Sequence, residues 1–195
     1  MGFGVRELEL TLMHRMRDVN AERVEEALGE LGADRAEIRA AHRLWTKMAH
    51  SRTAPKGMAV FRMALGAPLF EGERPFGDLT AAVARWRLPY WPELEFEVLT
   101  GPDGEVWNHW FIRPGKERVL DFADLVPWTC VIADFGASFP GAVHVEGAAP
   151  HHWGVDFTHG GEKHRALFVY GLFQRLAHPD EWLHGTAGAS PASSS

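Results

Sequence analysis

A single cysteine, Cys130, is all the thiol that the 195-residue chain carries, so no disulfide can form within it. That favours a reducing compartment, because small oxidised domains lean on paired cysteines. A basic surplus is missing as well. Twenty Lys and Arg stand against 26 Asp and Glu, a formal net charge of −6. Nucleic-acid partners are set aside on that ground. No apolar run of about 18 residues occurs, so no membrane-spanning helix is expected. The opening MGFGVRELELTL lacks the charged-then-apolar order of a secretion signal. These absences together point to a cytoplasmic protein with no membrane partner.

Familiar catalytic signatures are also lacking. There is no G-x-S-x-G motif, and Ser138 falls in a turn-like FGASFPG. Cys130, in PWTCVIADF, reads as an inert core thiol. THGGEKH has glycines but not the order of a phosphate-binding loop, and no dinucleotide fingerprint is present. Without C-x-x-C-H, covalent haem attachment is excluded.

What the chain does have is aromatic area and imidazole: eight Trp and eleven His. His144, His151, His152, His159, His164, His178 and His184 all lie after residue 140. Aromatic and His side chains together suit a ligand pocket, supplying stacking area and proton transfer.

Periodicity orders these residues into elements. Leu8, Leu10 and Leu12 alternate with Glu7, Glu9 and Thr11, which predicts a strand over 5–13, a helix from Arg6 being the alternative. Asn20 caps a helix over 20–31 with the stripe Val24, Ala27, Leu28 and Leu31. Asp34 and Glu37 form a capping box for a second helix ending near His50. Residues 57–65 read as helical, and 66–77 as a loop with one short strand. A further helix is predicted from Asp78 to about Pro89. Then ELEFEVLT, GPDG and EVWNHWFIRPG make a hairpin. Later strands are expected at 117–122, 128–134, 142–146, 153–157 and 165–173, the last also readable as a buried helix.

The expected fold is therefore α+β: N-terminal helices packed on a curved antiparallel sheet or partial β-barrel. It fills one domain, 1–185, mainly helical over 1–90 and mainly sheet over 91–178. A small, polar tail, 186–195, is expected to be disordered.

Facing arguments select candidate residues. In the hairpin, Leu94, Phe96 and Val98 share one face, opposite a wet face of Glu93, Glu95 and Glu97. A loop centred on Pro102–Asp103 sets Phe96 against His109 and Val98 against Trp107. His109 then points inward, with Phe96 and Trp107 as pocket walls. A bulge at Gly104 shifts the pairing without changing the alternation. In VHVEG, His144 and Glu146 project to the same face, and His164 or His152 completes a two-His, one-carboxylate metal site. In PHHWGVDF, His152 and Asp156 share a face with Gly154, forming a His–Asp base beside Trp153.

Two function classes follow. One is a small-molecule enzyme of cyclase, isomerase, dehydratase or hydrolase type, using His109, His152 and Asp156. It could be assisted by a divalent metal on His144, Glu146 and His164. The other is a binding protein for a flat hydrophobic ligand such as haem. A homodimer through a sheet edge or aromatic patch is compatible with either.

Overall fold

The computed structural model describes residues 2–147 and 149–179. The tail expected at 186–195 lies outside the described residues.

Four helices come first: α1 (Val5–Met16), α2 (Ala21–Glu30), α3 (Arg35–His50) and α4 (Met58–Leu65). Helix α1 replaces the strand expected over 5–13. It is buried almost all round, with Leu8, Glu9, Leu10, Thr11, Leu12, Met13 and Met16 all enclosed. A helix covered on every side shows no clean polar stripe. The caps read from sequence are in place. Asn20 accepts the Arg23 backbone N–H at 3.2 Å, and its amide also donates to the Gln174 carbonyl at 2.6 Å. Asp34 accepts from the Ala36 and Glu37 N–H groups while Glu37 returns to the Asp34 N–H.

The strands divide into two four-stranded antiparallel sheets. The first has the order β1 (Phe70–Phe76), β2 (Leu79–Trp86), β3 (Glu95–Thr100), β4 (Val106–Ile112). The second runs β5 (Val143–Glu146), β6 (His152–His159), β7 (Glu162–Val169), β8 (Leu172–Ala177). The α+β reading, N-terminal helices with antiparallel sheet, is thus what the chain adopts. The helical part ends at Leu65 and strands begin at Phe70, so the change of character falls earlier than residue 90. Residues 79–86 form β2 and not a helix. Ala81 and Val83 are buried on one face and Ala84 and Trp86 on the other, which erases the alternation. The strands expected at 117–122 and 128–134 are replaced by a 3-10 turn, Phe122–Asp124, and a short helix α5 (Ile132–Ser138).

The hairpin register differs from the sequence reading. Phe96 faces Phe111 and Val98 faces His109, with an irregularity between Leu99 and Thr100 that leaves Trp107 unpaired. The face expected to be wet is covered only at one end: Glu93 is exposed, but Glu97 is fully buried, and its Oε2 accepts from Arg74 at 2.7 Å and Arg85 at 2.8 Å. β3 lies inside the sheet, and β2 beside it and β1 beyond supply the compensating cations.

Two cores result. One joins α1–α4 to the inner face of the first sheet through Leu12, Met13, Phe61, Trp86, Phe96 and Phe111. The other joins α5 to the second sheet through Phe135, Phe139, Phe157, Phe168 and Phe173. They meet at the turn between β7 and β8, where Tyr170 and Gly171 both have positive φ, 52° and 70°. Two positive φ values give the two-residue turn whose twist suits a hairpin. The Tyr170 carbonyl accepts from the Phe111 N–H at 2.8 Å, and the Gly171 carbonyl accepts from the Ile132 N–H at 2.9 Å. No helix among the described residues is long and apolar enough to cross a membrane.

This joint yields a stability prediction. A Cβ at position 171 would stand 3.1 Å from the Phe111 oxygen, on a backbone that L side chains rarely adopt. Gly171→Ala is expected to cost about 1–3 kcal/mol in urea unfolding. An unchanged midpoint would mean that the turn is not a fixed joint.

Candidate functional site

A concave site forms where the β2–β3 connection, α2 and the segment 113–129 converge. Its volume is about 420 Å³, within the range of small-molecule sites. Tyr90, Trp91, Pro92, Leu94, Pro127 and Trp128 supply its apolar walls, and Arg23, Glu30, Glu93, Arg113, Arg118 and Thr129 its polar ones.

The aromatic walls are held from several directions. Prolines 89 and 92 bracket Tyr90–Trp91 and keep the connection out of both strands. Glu9, buried in α1, accepts the Tyr90 backbone N–H at 2.8 Å. Burial raises the Glu9 carboxyl above its ordinary range, partly offset by that hydrogen bond. Trp91 packs on Phe111 with ring centroids 4.7 Å apart, and Trp128 stands 5.5 Å from Trp91. Tyr90 meets both indoles edge-on, at 4.9 and 5.9 Å.

Trp128 is a backbone outlier with φ 66°. Such a conformation costs on the order of 1–3 kcal/mol and persists only where the surroundings impose it. Here the Trp128 N–H donates to the Phe173 carbonyl at 2.9 Å. Its indole N–H donates to Gln174 Oε1 at 2.8 Å, and Gln174 in turn donates to the Leu172 carbonyl. A buried side chain of β8 thus fixes the ring.

The cations are anchored too. The Arg23 guanidinium lies 4.9 Å from the Trp128 ring centroid and donates to the Tyr90 hydroxyl at 2.8 Å. Tyr90 donates to Glu30. Burial, followed by this bond to Glu30, pushes the Tyr90 phenol well above its ordinary value. Asp134, fully buried, accepts from Arg113 Nε and Nη2, from the Arg118 backbone N–H at 2.8 Å and from the Val131 N–H at 3.0 Å. Arg113 also donates to the Thr129 carbonyl at 2.9 Å. One carboxylate therefore sets both guanidinium-bearing residues of the far wall.

The residues chosen from sequence fall elsewhere. His109 does face the inner side of the first sheet, 5.8 Å from Phe96, 4.2 Å from His151 and 5.3 Å from Tyr170 by ring centroids. Its Nδ1 is enclosed without a hydrogen-bond partner. Burial above all, with His151 adding repulsion, brings its pKa to about 3. His151, unselected by the sequence reading, sits at φ 64° and is brought to about 4 by burial, with Arg15 and His152 contributing.

The His152–Asp156 base is not formed. His152 Nδ1 bonds to the Pro150 carbonyl at 3.0 Å, and Asp156 is held by Arg165 at 2.5 and 2.7 Å. Arg165 faces Asp156 directly across β6 and β7, so the carboxylate takes the nearer cation. His144 and Glu146 are exposed on the edge strand β5. His164 packs between Phe122 and Phe157, with centroids at 5.0 and 5.5 Å. The described residues hold no group of three or more His, Cys, Asp or Glu that could bind a metal, so the expected metal triad is not assembled.

Nor do the expected pocket walls meet. Phe96 is a fully buried core residue and Trp107 is 41% exposed, edge-on to Phe76. Trp153 packs on the second core and near Trp110. The cavity's aromatic residues, Tyr90, Trp91 and Trp128, follow no helix or strand period. Their signal was aromatic residues next to proline outside periodic segments, in PYWP and PWT.

No protein-family model and no curated protein matches the chain. Among solved structures it is similar to a proposed beta-lactamase inhibitor protein from Streptococcus mutans. That likeness has 11% identity and a TM-score of 0.28, covering 69% of this chain and 88% of the other. At that TM-score it carries no conclusion about fold or function.

Two predictions follow from the charges. Removing one partner of a buried ion pair costs about 3–5 kcal/mol, so Asp134→Asn should lower stability by that order in urea unfolding. A loss below about 1 kcal/mol would contradict the hub role of Asp134. Second, His109 and His151 are neutral in the fold but take up protons once unfolded. Between the ordinary 6.5 and their lowered values, the unfolded chain binds more protons, so stability falls as pH drops through that window. His14 and His42, stacked 4.0 Å apart and lowered chiefly by burial, act in the same direction. His109→Phe should flatten the dependence measured between about pH 7.5 and about pH 5. An equally steep dependence in that variant would contradict this assignment.

Proposed function

We propose that this chain is a ligand-binding protein whose cavity takes a flat aromatic small molecule bearing an anionic group. The observation that carries this reading is the joining of Tyr90, Trp91 and Trp128 with three guanidiniums around one concavity. Aromatic walls favour a flat ring, and each ring pair is worth about 0.5–1.5 kcal/mol beyond its buried area. The cations Arg23, Arg113 and Arg118 outnumber the lining carboxylates, Glu30 and Glu93. Arg23 is engaged by Glu26, Glu30 and Tyr90. Arg113 and Arg118 each have donors left over after their bonds to Asp134, Thr129 and Asp124. They are the partners for an anionic group.

The flat ligand expected from sequence is kept in this reading, but haem does not fit. No His, Cys or Met lines the cavity, and the only phenol there is already bonded to Glu30 and Arg23. Acid–base turnover is also less well supported. A general base works best with a pKa near the operating pH, and His109, at about 3, lies far below it and away from the cavity.

Calorimetric titration with 2-naphthoate, and with neutral 2-naphthol as control, tests the reading. The carboxylate should bind more tightly than the alcohol, with affinity falling as salt is raised. Arg118→Ala, a partly exposed position, should weaken 2-naphthoate by about tenfold, the scale of one charge-assisted hydrogen bond. Equal binding of acid and alcohol, or none of either, would sink the proposal.

A further inference from the structure

A second depression adjoins the cavity and shares three of its residues, Arg23, Pro127 and Thr129. It holds about 600 Å³ and continues along α2 past Glu22 and Glu26 toward Arg175 of β8. The two adjoin as one groove whose charged lining differs from end to end. At the cavity end, Arg113 and Arg118 offer donors beside the indoles. At the α2 end, Glu22 and Glu26 share the wall with Arg23 and Arg175. Glu26 is drawn to Arg23 at 3.0 Å, whereas Glu22 has no ion-pair partner among the described residues. Arg175 donates to the Val19 and Leu176 carbonyls.

A ligand matching this groove has an aromatic group and a carboxylate at one end and a cation further along. Resting on the binding function proposed above, we infer that the groove receives the C-terminus of a peptide ending in an aromatic residue. The terminal ring packs against Tyr90 and the edges that the buried Trp91 and Trp128 present to the cavity, and the terminal carboxylate meets Arg113 and Arg118. A Lys or Arg side chain from a preceding residue reaches Glu22. A peptide terminus puts carboxylate and ring on the same residue, as the cavity requires, and its extended chain advances about 3.3–3.6 Å per residue out of the cavity along α2. That continuation is what the second depression accommodates.

Calorimetry at low salt with acetylated tetrapeptides ending in Phe tests the assignment. Lys, Glu or Ala is placed in turn at each of the two residues before the terminal pair, and the Phe carboxylate is free or amidated. The free acid should bind at least about tenfold tighter than the amide. Lys at one position should improve on Ala by about threefold to fivefold, the worth of an exposed ion pair, with Glu weaker than Ala. Glu22→Gln should remove the Lys advantage. If Lys, Ala and Glu peptides bind alike while the free acid still beats the amide, the extension along α2 is wrong and the cavity reading survives. If 2-naphthoate binds and no peptide does, the peptide assignment is overturned. If neither binds, both readings fall.

Discussion

Asp134 carries a full charge into a place from which solvent is absent, and four donor groups compensate it: two from Arg113, one from the Arg118 backbone and one from the Val131 backbone. Taking such a charge out of water costs several kcal/mol per ion, recovered only when its lone pairs are filled. The constraint reaches far because these donors come from a long connection, 113–131, that has little regular structure of its own. With Arg113 and Arg118 pinned, the Thr129 carbonyl is fixed by Arg113, and the chain passes Trp128 in a conformation it would not choose unaided. The cavity wall is therefore a consequence of one buried carboxylate.

The opposite wall has a different origin. Glu9 of α1 holds the Tyr90 N–H, and Asn20, while capping α2, ties that helix to β8 through Gln174. Gln174 in turn receives the Trp128 indole. Both walls thus refer back to the Tyr170–Gly171 joint between the cores, since β8 starts there. His109, His151 and Tyr170 stack at the same joint, two of the three at positive φ. Their neutral, packed state accounts for them as part of the core.

Much of the fold could be read from pattern. Asn20 and Asp34 mark helix starts by chemistry that acts within three residues, and the β3–β4 hairpin shows its alternation openly. Where the reading failed, burial on several sides had removed the period. α1 is enclosed by its neighbours, β2 is covered on both faces, and Glu97 is buried because cations arrive from β1 and β2. The site was least legible. His152 and Asp156 do lie on one strand, but a strand pattern cannot reveal that Arg165 sits across from Asp156. Trp91 and Trp128 come together from segments far apart in sequence, with no period to announce them, only the neighbouring prolines.

These two indoles stand at the walls of the proposed ligand site. Its most direct test is the indole N–H region of a nitrogen–proton NMR spectrum, followed as 2-naphthoate is added. The Trp91 and Trp128 resonances should shift along one saturable curve, while those of Trp45, Trp86 and Trp107 stay in place. Shifts confined to Trp107 or Trp153, or no saturable shift at Trp91 and Trp128, would contradict it.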